Sequence, residues 1–255
     1  MNFIVSANTD IGTTKSTNQD SLSVKKINTS QGPMVFAILC DGMGGLAKGE
    51  VASATVINAF NNWVQNDLPK LTMQPLQYND IYNQWEKIIL NQNDSIKAYG
   101  AKLGVRLGTT AVIMLLTQSR YFVMNVGDSR AYEFTNTINQ ITKDQTFVGR
   151  EVALGNMTEQ QAEVDERRSV LLQCIGASEI VKPDMFTGDV KQNASYMLCS
   201  DGFRHEIKAE EIYRNFNPSV LTDENIMNQN TLNLIELNKQ RMERDNISVV
   251  LIRTY

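Results

Sequence analysis

The apolar residues of this sequence fall mostly in runs of strand length, and several runs follow one another with no helical stretch between them. Residues 3–7, 34–40, 110–117, 121–126, 196–199 and 247–252 are rich in Val, Ile, Phe and Tyr, which suit a pleated, half-buried surface. Only Gln118, Ser119 and Arg120 separate the third run from the fourth, a hairpin spacing. Parallel neighbours would need a long crossover between them, so this order favours mainly antiparallel sheets. Helical stretches are fewer and longer. Ala52, Val56, Ala59, Phe60 and Trp63 form one stripe with helical period; Ile81, Trp85, Ile88, Ile89, Ile96, Tyr99 and Leu103 form a second. Both predict amphipathic helices lying on a sheet, and their succession predicts an antiparallel pair. A third helix is expected over 231–244, with Leu232 and Ile235 on its apolar side. The polar stretch 143–168 offers few core residues and reads as a surface insert. Inside it, Thr158 and Gln161 have capping-box spacing and predict a short helix over 158–164.

At 255 residues, 42% hydrophobic and 20% charged, the chain is long enough for one large domain or two small ones and is expected to be folded rather than disordered. Lys plus Arg number 24 against 28 Asp plus Glu, a net charge of -4. No basic excess is available for a phosphate backbone, so no nucleic-acid partner is expected. The longest purely apolar runs, 34–40 and 111–116, are far below the roughly 20 residues a spanning helix needs, so no membrane partner is expected either. The opening residues have no basic patch followed by an apolar stretch, so no secretory leader is expected. The three cysteines, Cys40, Cys174 and Cys199, form neither a zinc spacing nor a disulfide framework, which fits a reducing cytoplasm. His205 is the only histidine. That excludes any two-histidine metal site and any Ser-His-Asp mechanism built elsewhere.

The informative residues are aspartates at the ends of the strand-like runs. Asp41-Gly42 follows VFAILC, Asp201-Gly202 follows YMLCS, Asp128 follows YFVMNVG, Asp245-Asn246 precedes ISVVLI, and Asp20 precedes another strand candidate. Several strand ends brought to one sheet edge would make these five carboxylates converge. Converging carboxylates raise one another's pKa, and a cation removes that penalty. An all-oxygen ligand set favours Mg²⁺ or Mn²⁺ over Zn²⁺. Each Asp-Gly pair taken singly reads as a turn far more often than as a metal site; their recurrence at the ends of apolar strands leaves the two readings side by side.

In order along nearly the whole chain, these motifs resemble the type 2C family of metal-dependent protein serine/threonine phosphatases. Gly12-x-x-Lys15-x-x-Asn18-Gln19-Asp20 is similar to its amino-terminal phosphate-site motif. Asp41-Gly42-Met43-Gly44-Gly45 is similar to the central metal motif. Gly108-Thr109-Thr110, Gly127-Asp128-Ser129-Arg130-Ala131-Tyr132, Cys199-Ser200-Asp201-Gly202-Phe203 and Asp245-Asn246-Ile247-Ser248 follow. The methionine of the central motif and the length resemble the bacterial branch. The resemblance implies an α+β fold: a four-layer α-β-β-α sandwich of two mainly antiparallel sheets, each flanked by a helix pair. It implies a two-metal centre at one end. Asp41 would bridge both ions, Gly42 would offer its carbonyl to one, and Asp201 and Asp245 would hold the other. Asp20 would orient bound water, Lys15 would bind the substrate phosphate, and Asp128 with Asp201 would hold a third ion. The stretch 143–168 would be a flap beside the site. Two ions about 4 Å apart would acidify a bridging water, whose hydroxide attacks phosphorus with no phosphoenzyme intermediate.

Three positions depart from the family pattern. Lys15 stands where Arg is usual, so a point charge replaces a bidentate fork. Gln19 replaces a Glu of many eukaryotic members, keeping hydrogen bonding but dropping a charge. Met43 replaces a histidine, so leaving-group protonation would fall to a water, with His205 the only side-chain substitute; a structural or surface role is expected for it. Trp63 and Trp85 read as core, and Arg130 and Arg150 as partners of acids or of substrate. The expected activity is hydrolysis of phosphoserine and phosphothreonine in a protein substrate, opposite a serine/threonine kinase. The alternative is a non-catalytic module of the same fold that binds a phosphoprotein or a regulator. A partner-switching regulator as substrate is a variant of the first reading.

Overall fold

In the computed structural model, residues 1–44 and 48–255 are described, and every strand-length apolar run folds as a strand. In chain order the first elements are β1 (Phe3–Asp10), β2 (Ser21–Thr29), β3 (Gly32–Cys40), β4 (Gly42–Gly44), α1 (Gly49–Asn66), α2 (Leu68–Leu71) and α3 (Tyr78–Leu103). Next come β5 (Leu107–Thr109), β6 (Ala111–Leu116), β7 (Arg120–Val126), β8 (Arg130–Phe134), β9 (Ile138–Gln140), α4 (Phe147–Ala153) and α5 (Glu159–Val164). The chain continues with β10 (Asp184–Asp189), β11 (Ser195–Cys199), α6 (Asp201–Arg204), α7 (Ala209–Phe216), α8 (Glu224–Gln240) and β12 (Ile247–Thr254).

Two five-stranded sheets carry the architecture, ordered β1-β12-β11-β8-β9 and β10-β7-β6-β3-β2, and every pairing is antiparallel. Alternation along β3 explains why its sequence is apolar on both faces. Val35, Ala37 and Leu39 meet Ala131, Tyr196, Leu198 and Val250 between the sheets. Met34, Phe36, Ile38 and Cys40 point the other way, onto the apolar stripes of α1 and α3. Across the sandwich, Met197, Cys199, Val249 and Leu251 turn outward onto Ile212, Phe216, Leu234 and Ile235 of α7 and α8. A strand covered on both faces has no reason to alternate with polar residues. Each such side chain contributes about 1.5–3 kcal/mol on burial. The result is the expected α-β-β-α order of layers, with three apolar seams.

The helices differ from expectation in detail. The buried line of α3 runs Ile81, Trp85, Ile89, Asn93, Ile96 and Gly100, while Tyr99 and Leu103 are exposed. At Gly100 the backbone itself makes the contact: a Cβ there would lie 2.6 Å from the Val105 carbonyl oxygen. The large residues beside it are therefore turned away from the sheet. The third helix begins at Glu224, where Asp223 accepts a hydrogen bond from the Ile226 N–H, rather than at 231. Ile235 is buried as expected, but Leu232 is exposed, and the polar Thr231 and Asn238 take up the inner face. They can do so because each bonds backbone: Thr231 Oγ1 to Met227 O at 2.7 Å, Asn238 Nδ2 to Phe203 O at 2.9 Å. The short helix after Thr158 forms with its capping box intact. Helix α4, capped by Thr146, also lies within 143–168 and carries no strong apolar period.

Phe36, Phe60, Trp63 and Trp85 form an aromatic cluster with centroids 5.5–6.3 Å apart under α1 and α3. Trp63 donates to Gln84 at 2.6 Å, whereas the buried Trp85 Nε1 has no acceptor. An unmade buried hydrogen bond is itself a cost. Trp85→Ala should therefore lose about 3–5 kcal/mol of unfolding free energy in urea, whereas Trp85→Phe, which removes the orphan donor, should lose less than about 1.5 kcal/mol. Equal losses for the two variants would contradict this packing.

Candidate metal centre and active-site cleft

Sheet register brings the five aspartates to one end of the sandwich. Asp20 immediately precedes β2 and Asp41 follows β3, and these strands pair with Ser21 opposite Cys40. Asp201 opens α6 just after β11, whose last residue Cys199 lies opposite both Arg130 and Val249. That register puts Asp128, two residues before β8, and Asp245, two before β12, at the same edge. The charges of Asp20, Asp201, Asp128 and Asp245 all act on Asp41. Asp41, Asp128, Asp201 and Asp245 line an open cleft of about 770 Å³. The same cleft is lined by Leu171, Leu172, Cys174 and Ile180, from the segment that comes after the stretch 143–168.

The backbone around Asp41 is clamped. Its N–H donates to Thr110 Oγ1 at 3.0 Å, and its carbonyl accepts from the Thr110 N–H at 2.8 Å and from Thr109 Oγ1 at 2.9 Å. Thr110 Oγ1 is in turn 2.7 Å from Ser129 Oγ. Thr109 and Thr110 came to notice only through their place in a motif; their work is to hold Asp41 still. The next residue must be glycine, since a Cβ on Gly42 would lie 2.3 Å from the Gly49 carbonyl oxygen and 2.5 Å from that of Gln19. Gly202 is similarly pressed, its Cβ position being 2.2 Å from the Asn246 carbonyl oxygen. That contact sets Asp201 beside Asp245. Asn246 links the two ends of the chain, accepting from the Gln19 N–H at 2.9 Å and donating to Ile11 O at 2.9 Å. Gly45, the last residue of the central motif, lies outside the described residues.

Burial and mutual repulsion disturb the acids. Burial pushes the Asp20 carboxyl up to about 7, and the Asp201 and Asp245 charges add to it. The Ser248 and Ser200 hydroxyls pull it back down, yet neither of its buried oxygens has a hydrogen-bond partner. Asp41 is pushed well above the ordinary carboxylate range, by burial first and then by its four acidic neighbours. One buried oxygen of Asp201 is also without a partner. Buried carboxylate oxygens with no donor cost several kcal/mol unless a cation satisfies them. All-oxygen donors of this kind fit a hard divalent ion. Among the described residues, no three His, Cys, Asp or Glu side chains close around one point tightly enough to hold an ion by themselves. A hydrated ion such as Mg²⁺, which usually takes only one or two carboxylates and keeps several waters, suits that spacing.

The remaining expected residues separate into those within the cluster and those already engaged elsewhere. Lys15 reaches it, with Nζ 2.9 Å from Asp245 Oδ1. Burial alone would lower the Lys15 ammonium, but the Asp245 bond and the charges of Asp245, Asp41 and Asp201 hold it above its usual value. Met43 lines the cleft and offers no proton. Gln19 acts through its backbone carbonyl, which accepts from the Gly42 N–H and from Ser53 Oγ. His205 is three-quarters covered, with Nε2 3.5 Å from Asp201 and Nδ1 3.5 Å from Glu243. It is a structural partner of two acids at the surface of the molecule, within the role expected of it. Arg130 makes a bidentate pair with Asp144 at 2.8 and 2.7 Å. Arg150 bonds Glu151 and stacks on Phe147, opposite Arg167. Neither arginine points to a substrate. Sequence reasoning missed Asp144, Glu243 and Arg204; the one available signal was that Arg204 and His205 come immediately after an acidic motif.

Comparison with known proteins agrees with this geometry. A family model described as Protein phosphatase 2C matches residues 12–235. A serine/threonine phosphatase of Listeria innocua is 31% identical over 212 residues, 81% of each chain. The serine/threonine protein phosphatase PstP of Mycobacterium tuberculosis is 30% identical over 96% of this chain and 44% of its own length. Among solved structures, a serine/threonine phosphatase from Staphylococcus aureus superposes with a TM-score of 0.83 at 26% identity, covering 98% of this chain and 94% of that one. The catalytic domain of PstP in complex with two manganese ions superposes with a TM-score of 0.78 at 26% identity, covering 99% of both chains. The chain belongs to the protein phosphatase 2C family.

Proposed function

We propose that this protein is a Mg²⁺- or Mn²⁺-dependent phosphoprotein phosphatase that hydrolyses phosphoserine and phosphothreonine by direct attack of water on phosphorus. One observation carries the reading: Asp201, which lines the open cleft with Asp41, and Asp20, buried behind them, have carboxylate oxygens without partners. When bound, two divalent ions would acidify a water lying between them and offset charge on the phosphoryl oxygens. Asp41 would hold both ions, Gly42 would offer its carbonyl to one, and Asp201 and Asp245 would hold the other. Asp20, set deeper, would accept a hydrogen bond from water in the site and fix its direction. Lys15 would leave Asp245 to meet the substrate phosphate. Met43 cannot donate, so the proton for the departing serine or threonine oxygen would come from water. The relative solved with manganese supports the choice of metal. The residues would act as a single domain, with 143–168 as a flap over the cleft. The partner would be a phosphorylated protein, modified by an opposing kinase, and the cytoplasm is the compartment that three buried free thiols favour. No helix among the described residues is long and apolar enough to cross a membrane.

Phosphate release from a phosphothreonine peptide should require Mn²⁺ and should fall about a hundred-fold or more in Asp41→Asn. Mn²⁺ binding by calorimetry with no release from any phosphopeptide would favour the binding-module alternative. Lys15→Ala should raise KM for the peptide about five- to ten-fold, one charge-assisted hydrogen bond discounted for its partial exposure; unchanged KM and kcat would remove Lys15 from the phosphate site.

A third expectation concerns metal-free protein. A carboxyl whose folded pKa is raised contributes stability below its ordinary value, near 3.8, and that contribution is lost as pH rises through the folded value, about 7 for Asp20. In EDTA, Tm should therefore fall between about pH 4 and about pH 7 and level off above that. Asp20→Asn should flatten the fall, and Mn²⁺ should restore Tm at the higher pH. A Tm that rose over this interval would show the carboxylates to be compensated already.

A further inference from the structure

The third-ion expectation placed a cation between Asp128 and Asp201. The structure sets a guanidinium of the chain against one of that pair, Asp128, and against Asp144. Arg204 Nη2 donates to the Asp128 carbonyl oxygen at 3.2 Å, lies 4.0 Å from Asp128 Oδ2, and is 3.5 Å from Asp144 Oδ2. Its side chain is 15% exposed. Asp144 is already engaged by the bidentate Arg130. Two guanidinium groups therefore face two carboxyl groups, and the formal charges of Arg130, Asp144, Arg204 and Asp128 cancel with no ion added, although burial and the Asp201 charge push the Asp128 carboxyl up to about 7 against the pull of Arg204. Arg204 Nε is buried without an acceptor, so full hydrogen bonding does not explain where the guanidinium sits. Attraction to the acids does. The side chain is also poorly placed to swing away. Its helix is pinned by Gly202 against the Asn246 carbonyl and by Phe203, which is fully buried. His205 from the same turn stands 3.5 Å from Asp201, on the other acid of the pair.

We propose that Arg204 takes the charge-balancing place of a third divalent ion at Asp128, so that this chain binds two ions and not three. The inference rests on the metal-dependent reading above. A divalent ion between Asp128 and Asp201 would lie against a guanidinium held by the same carboxylate, and like charges at that distance repel strongly when shielded from water. Asp128 is thereby a structural partner of Arg204 rather than a metal ligand.

Titration calorimetry with Mn²⁺ on the intact chain tests this, with ions per chain as the readout rather than turnover. Wild type should bind two ions, and Arg204→Gln should gain one more, at least about ten-fold tighter than any third ion wild type takes up. Arg204→Lys, which keeps the charge, should stay at two. Asp128→Asn in the wild-type background should leave the count at two, which keeps the idea open to refutation should Arg204→Gln not fold. A third ion in wild type, an unchanged count in folded Arg204→Gln, or an ion lost from Asp128→Asn would each overturn it. Wild type binding no Mn²⁺ at all would instead overturn the metal reading itself, and this inference with it.

Discussion

The hydrogen-bond ladders of the two sheets are what the site depends on. A strand end is held by its neighbours on either side, and antiparallel pairing places the end of one strand beside the start of the next. Ser21 opposite Cys40 and Cys199 opposite Val249 are two such junctions, and an aspartate stands just beyond the ladder at each. No long-range attraction gathers these acids, since they repel one another. Ladder register and the three apolar seams force them together. Buried unpaired carboxylates cost several kcal/mol each, against a net stability of about 5–15 kcal/mol for a typical domain. The cluster can persist only because the seams are dry and continuous.

The acids at this end fall into two electrostatic groups. Asp144 and Asp128 are answered by arginines of the chain itself, and Asp201 is approached by His205. Asp20, Asp41 and the inner oxygen of Asp201 receive no comparable answer. Lys15 meets Asp245 at the more exposed edge, where a lysine can let go at modest cost. The chain thus sets cations of its own against the outer acids, with Asp128 still pushed up to about 7 by burial and by Asp201, and leaves the inner ones for an exchangeable cation. Clamps formed by Thr109, Thr110 and Asn246 keep the inner group from relaxing apart. Such fixed geometry is what preorganised electrostatic catalysis requires.

The strands were legible because burial on both faces leaves unbroken apolar runs, as in residues 34–40. The site acids were legible because each follows or precedes such a run. Helix faces were less so. Periodicity placed Tyr99, Leu103 and Leu232 inward, but the chain makes its contact at Gly100 through backbone, and Thr231 and Asn238 enter the core by bonding carbonyls. Hydrophobic period says nothing of either device. Arg204 drew no reading from the sequence, because an ion pair across 76 positions leaves no local trace.

The sequence by itself determined the six long apolar strands, their antiparallel tendency and the identity of the acids, which follow from short-range patterns of side-chain type, and through its ordered motifs the α+β class. Only the tertiary structure decided which acids are already paired, that Lys15 rests on Asp245, and that an arginine stands against one of the two acids expected to hold a further ion. Those outcomes depend on distances between segments far apart in the chain, and such distances are set when the two sheets pack, not before.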